Sequence, residues 1–196
     1  MRRSLDMSLR PNPNGDWPEV EQTAYIDPTA QIIGKVRIGS QVFVGPGVVI
    51  RADETDASLG VAPIEIGPEC NLQDGVIVHA LGGTKVTVGR RVSLAHGCII
   101  HGPCTLGESC FVGFRAVVYD AVLRDGVFVG AGAVIQGVEL GPKALVPPAA
   151  SVLCRGHVIR LVGATSLSEC KFMERVVAAN VALAEGYNRL DRFDRK

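Results

Sequence analysis

Three of the four histidines in this 196-residue chain, His79, His96 and His101, lie between Val78 and Pro103. Neutral imidazole is the commonest protein ligand for divalent metals. Three imidazoles leave open positions on a metal, which marks a catalytic rather than a closed structural site. A metal held this way draws the pKa of a bound water into the neutral range and makes hydroxide available as a nucleophile. The six cysteines form no C-x-x-C pair, so a thiolate zinc site or thioredoxin-like redox chemistry is not indicated. His157 stands apart and reads as structural or solvated. The question is whether the fold brings the other three together.

The elements that must position them are set by a six-residue repeat. Large aliphatic residues recur at Ile32, Ile38, Val44 and Ile50, then at Ile66, Leu72 and Val78, then from Val88 through Leu94, Ile100, Leu106 and Val112 to Val118. A smaller apolar residue follows most of them by four positions, as at Val42, Val48, Cys70, Cys98, Cys104, Cys110 and Ala116. Two in-phase apolar positions in every six do not make a helical period. They fit short strands joined by corners around a narrow core. Three hexads make one triangular coil of 18 residues, with faces A, B and C. Four of the cysteines occupy the inward small position, where a thiol acts as a small apolar side chain.

The repeat then serves as a ruler. Val88, Leu94 and Ile100 start faces A, B and C of one coil; Ile66, Leu72 and Val78 start those of the coil before. His79 and His101 are separated by one 18-residue coil plus a four-residue bulge, Leu81 to Thr84. Both therefore point outward from face C, stacked at the spacing of paired strands, about 4.8 Å. Arg51 and Tyr119 fall in the same column, with Asp53 and Glu54 in the loop that follows Arg51. His96 lies on face B, and so does Gln73 one coil earlier. His96 reaches the other two only from a neighbouring copy whose face B packs on this face C, the heterologous contact of a closed cyclic trimer. The spacing thus predicts one metal per subunit interface, with three shared sites in a homotrimer.

Residues 1–22 are polar and carry Pro11, Pro13, Gly15 and Pro18; they read as an N-terminal arm, with the coil over residues 23–155. Residues 156–196 read as a linker and a C-terminal helix. Ser166 and Glu169 have capping-box spacing, and Phe172, Met173, Val176, Val177, Leu183, Tyr187 and Leu190 share one helical face. A lone helix is marginal in water, so it is expected to pack on the coil. Asn180, polar in the middle of that face, is expected to bond the backbone of the coil beneath it. Lys plus Arg (20) equals Asp plus Glu (20), so neither nucleic acid nor a membrane surface is suggested as a partner. The N-terminus lacks the apolar core of a signal peptide, and a cytoplasmic protein is expected.

The motifs I-R-A-D-E (50–54), N-L-Q-D-G-V-I-V-H-A (71–80), S-L-A-H-G-C-I-I-H-G-P (93–103) and N-V-A-L-A-E-G-Y (180–187) resemble those of the gamma-class carbonic anhydrases. The resemblance covers residues 23–190. It implies a left-handed parallel β-helix, an all-β coil of hexapeptide repeats followed by an α-helix, assembled as trimers with interfacial metal. It implies the reversible hydration of carbon dioxide to bicarbonate by a metal-bound hydroxide. Carried over by motif, His79, His96 and His101 match the metal ligands, and Gln73 matches the residue that orients the hydroxide. Asn180 resembles the residue that contacts CO2 or bicarbonate. Glu54 matches a glutamate of proposed proton-transfer role, and Arg51 with Asp53 matches an interface ion pair. The best-known members carry a longer acidic loop after the first histidine; here it is L-G-G-T-K, and Ala178 stands where members can carry tyrosine. Imidazoles suit zinc, iron and cobalt; zinc is the expected ion.

Two other function classes fit the repeat. Hexapeptide-repeat trimers include acyltransferases that use CoA thioesters, typically with one catalytic histidine and no metal triad. A non-catalytic trimeric assembly module would keep the coil and remnants of a site.

Overall fold

The computed structural model describes residues 8–194, with side chains to Leu190. Residues 1–7 of the expected arm and 195–196 of the expected helix lie outside the described residues. The chain forms a parallel β-helix with a C-terminal helix. Each rung is two to four residues long because the hexad supplies one large inward residue per face. Face B stacks Tyr25–Ile26, Phe43–Val44, Asn71–Leu72, Ser93–Leu94, Phe111–Val112, Phe128–Val129 and Ala144–Val146 in parallel. Face C stacks Gln31–Gly34, Val49–Ala52 and Ile77–Ala80, then the first halves of the long strands Ile99–Leu106 and Val117–Leu123, then Val134–Gln136. Face A stacks Val36–Ile38, Ile64–Ile66 and Val86–Val88 against the second half of Ile99–Leu106.

The lumen is one hydrophobic core. Ile32, Ile50, Leu72, Leu94 and Ile100 are fully buried, and Val42, Val48, Cys98 and Ala116 fill the small position. Burial pushes the Cys98 and Cys70 thiols up to about 12, as expected where the thiolate would lose its water. The glycines that follow the large residue permit close stacking: a Cβ on Gly67 would lie 2.7 Å from the backbone of Gly89 in the next coil.

The residues read as an arm contribute rungs. Leu9–Arg10 pairs with Ile32–Ile33 on face C, and Glu19–Val20 pairs with Arg37–Ile38 on face A. Two-residue strands carry no periodicity of their own, which is why the hexads begin to register only later. The stretch read as a linker holds a short helix, α1 (Arg155–Leu161), and a strand, Gly163–Ala164, antiparallel to Ala144–Leu145.

The C-terminal helix α2 spans Leu167–Asp194. Its capping box forms. The Ser166 N–H donates to Glu169 Oε2 at 2.7 Å, and the Ser168 N–H donates to Ser166 Oγ at 3.1 Å. The helix lies along face B, against the rungs at 25–26, 43–44, 71–72 and 93–94. Its buried stripe is Met173, Val177, Asn180 and Ala184, while Leu183, Tyr187 and Leu190 keep more exposure than their periodicity implies. Two aromatic clusters seat it. Phe172 packs edge-on to Phe111 and Phe128 at one end, and Tyr187 stacks on Tyr25 at 4.6 Å at the other.

Candidate metal centre

On face C the register aligns Ile33, Arg51, His79, His101 and Tyr119 as one outward column. His79 Nδ1 lies 3.3 Å from His101 Nε2, with the rings at 74°. Two nitrogens bound tetrahedrally to one metal at 2.0–2.1 Å would stand about 3.3 Å apart, so the pair fits two ligands of one ion. Among the described residues of a single chain, no group of three His, Cys, Asp or Glu gathers to hold a metal.

Neighbouring groups set which ring nitrogens are bare. His101 Nδ1 lies 3.0 Å from the Gly102 carbonyl; donation to that oxygen leaves Nε2 as the bare nitrogen. Arg51 Nη2 lies 3.0 Å from His79 Nε2, and as a guanidinium it can only donate. Burial, then the Arg51 charge, push His79 below the ordinary histidine value, against the opposing pull of Glu54. Glu54 Oε1 and Asp53 Oδ1 sit 3.3 and 3.6 Å from the same Nε2. Asp53 also faces Arg51 Nε at 3.4 Å within the same chain, and its Oδ1 is buried without a hydrogen bond. Tyr119 meets the edge of His101 at a centroid distance of 5.3 Å.

His96 lies at the corner between faces B and C, where Gly97 turns the chain at φ +68°. Its side chain is 53% exposed, 3.6 Å from Asp74 Oδ2, and stacked on Phe114 at 5.7 Å and 11°. Gln73 on the same face donates from Nε2 to Asn71 Oδ1 at 3.1 Å, and Asn71 Nδ2 donates to Ser93 Oγ at 2.8 Å. Asn180 is buried over this face, but its amide turns back to its own helix, donating to the Val176 carbonyl at 2.9 Å. That bond was expected to go to the coil. A mid-helix carbonyl four residues back is simply the nearer acceptor.

Asn71, Ser93, Asp74 and Phe114 were not singled out by sequence. A signal existed for two of them. The outward column of face B is Tyr25, Phe43, Asn71, Ser93, Phe111 and Phe128. The aromatic run breaks into a buried polar pair at the two coils that carry the histidines.

The family described as Bacterial transferase hexapeptide (six repeats) matches residues 18–52. The carboxysome assembly protein CcmM of Nostoc sp. is 35% identical over 86% of this chain, and the chain spans 31% of that protein's length. The carbonic anhydrase of Methanosarcina thermophila is 32% identical over 92% of this chain and 81% of its own. The chain belongs to the gamma-class carbonic anhydrase family. A solved hexapeptide transferase family protein from Anaplasma phagocytophilum superposes with a TM-score of 0.79 at 29% identity, over 93% of this chain and 99% of that one. For gamma-class relatives a metal cofactor is general; the facing nitrogens of His79 and His101 are where this chain's donors fit one.

Proposed function

We propose that this chain hydrates CO2 to bicarbonate reversibly at a metal shared between copies in a homotrimer. The observation that carries the reading is the His79–His101 nitrogen pair at 3.3 Å, with a third imidazole, His96, exposed on the adjoining face. His79, His101 and the His96 of a neighbouring copy would hold the ion, zinc first, with iron or cobalt also suited. The metal, when bound, supplies hydroxide at neutral pH to attack CO2.

The chain's own residues do the rest. If His79 Nδ1 faces a metal, the ring's proton would sit on Nε2, and the Arg51 guanidinium would have to turn away from that nitrogen. There Glu54 Oε1, 3.3 Å away, would accept it, the carboxylate–histidine pairing that fixes a ligand's tautomer. Gln73, held by Asn71, presents its amide to the reacting oxygen, and Asn180 is assigned the CO2 and bicarbonate contact. Glu54 is assigned proton transfer.

Assembly has support in the outward column beside the histidines. Val49, Ile77, Ile99, Val117 and Val134 form a continuous aliphatic stripe on face C, with Ile77 41% exposed. An apolar face of parallel sheet is ordinarily covered. A cytoplasmic setting suits the four thiols of the core.

Metal analysis of the purified trimer with a CO2-hydration assay tests the reading. One metal per subunit with hydration above background is the expected result; background hydration at full metal loading overturns it. A hexapeptide acyltransferase is the second reading, favoured by the likeness to the Anaplasma protein. A metal-free trimer that binds CoA would select it, and a metal-free trimer binding neither would select an assembly module.

A further inference from the structure

The turn that stands in place of the long acidic loop of the best-known relatives is part-exposed, with Leu81 52% exposed, but it does not stand alone. It leans on the loop that carries Glu54. The Gly82 N–H donates to Glu54 Oε2 at 3.2 Å while Oε1 of the same carboxylate faces His79. A Cβ on Gly82 would lie 2.2 Å from the Thr55 carbonyl oxygen, so only glycine permits this approach. The turn is itself closed: the Thr84 N–H and Oγ1 both donate to the Leu81 carbonyl, at 2.9 and 2.6 Å.

The other side of the Glu54 loop is braced by the N-terminal arm. Buried Asn12 donates to the Ala52 carbonyl at 3.1 Å and accepts from the Asn14 and Asp16 N–H groups. Asn14 donates to the Leu59 carbonyl at 2.6 Å. Within the loop, Asp56 accepts from the Ser58 and Gly60 N–H groups, and Thr55 bridges Val61. The loop therefore cannot drift from the turn while the arm is docked.

We infer that Gly82 is a positioning residue: its N–H, pressed against a loop that the arm braces, aims the Glu54 carboxylate at His79. The short turn thus orients the acid already present in place of supplying one of its own. This rests on the carbonic anhydrase reading for its consequence in turnover, and on geometry alone for the contact.

Two measurements test it on the full chain. The first needs no activity. In the metal-free trimer, Glu54→Ala speeds hydrogen exchange of the Gly82 amide about tenfold or more, because the acceptor is gone, while the Thr84 amide is unchanged. Unchanged exchange at Gly82 overturns the contact. The second uses the metal-loaded enzyme. Gly82→Ala lowers kcat on the order of tenfold, as a misplaced catalytic group does, with metal content and kcat/KM held; Leu81→Ala, in the same turn, changes neither. Wild-type kcat in Gly82→Ala, or loss of metal in step with kcat, overturns the positioning role. If the loaded wild type shows no hydration, the functional reading fails, and the exchange experiment still decides the contact.

Discussion

His79 and His101 present Nδ1 and Nε2 to each other across 3.3 Å, although 22 residues separate them in sequence and one coil separates them in space. The two rungs are hydrogen-bonded neighbours, so the pair is held by backbone, not by side-chain packing alone. A site built on ladder positions keeps its geometry when surface loops change.

His101→Ala removes one of the facing nitrogens while Ile100 beside it still fills the core. Loss of a direct ligand is expected to exceed the effect of losing an outer partner, so metal affinity falls by more than about 100-fold. Competition with a chromophoric chelator reads this directly, and thermal unfolding of the metal-free protein should change little.

Asn71→Ala leaves Ser93 Oγ and Gln73 Nε2 without their partner beneath α2. An abandoned buried polar group costs about 1–3 kcal/mol. Denaturant unfolding of the metal-free protein measures that cost. Turnover should fall as well, because Gln73 loses the acceptor that orients its amide.

Native protein should react with an aromatic disulfide reagent at Cys154 and Cys170 alone. Cys154 is exposed and Cys170 half-buried, whereas Cys70, Cys98, Cys104 and Cys110 line the lumen. Burial pushes Cys104 up to about 11 and Cys110 to about 12, so neither supplies thiolate near neutral pH. All six should react after unfolding.

Glu69 gives the fold an acid-sensitive contact on the far side from the histidines. Burial pushes its carboxyl up, but hydrogen bonds from Arg90 at 2.8 Å and Arg91 at 2.7 Å, with their charges, outweigh this and hold it below the usual 4.5. A carboxylate depressed in the folded state contributes stability that is complete above its unfolded value and lost as pH falls through the folded one. Glu69→Gln should therefore flatten the decline in stability below about pH 4.5 relative to wild type, measured by urea unfolding across that range.

The hexads made most of the coil readable because each inward residue fixes the face of its neighbours. Counting sixes, and allowing for the Leu81–Thr84 bulge, puts Arg51, His79, His101 and Tyr119 in one column, and the strand register has them there. What counting could not supply is contact chemistry. Asn180 on the inner face of α2 gives no hint that its amide bonds Val176, since rotamer choice leaves no mark on periodicity. The rungs at Leu9–Arg10 and Glu19–Val20 were hidden because polar, proline-rich segments can still pair when a finished coil offers an edge. The role of Gly82 was hidden for the opposite reason. A glycine in a short turn looks ordinary until the Thr55 carbonyl is found where its Cβ would be.

On the proposed reading each metal is held by two copies of the chain. Mixed trimers of His96→Ala and His101→Ala subunits, separated by distinct tags, test it most directly. Each homotrimer should hold almost no metal. In a mixed trimer one interface joins an intact His79–His101 pair to an intact His96, so about one metal per mixed trimer is expected, against about three in wild type. Mixed trimers as empty as both parents, or a His96→Ala homotrimer that keeps its full metal, would rule out a site shared between copies.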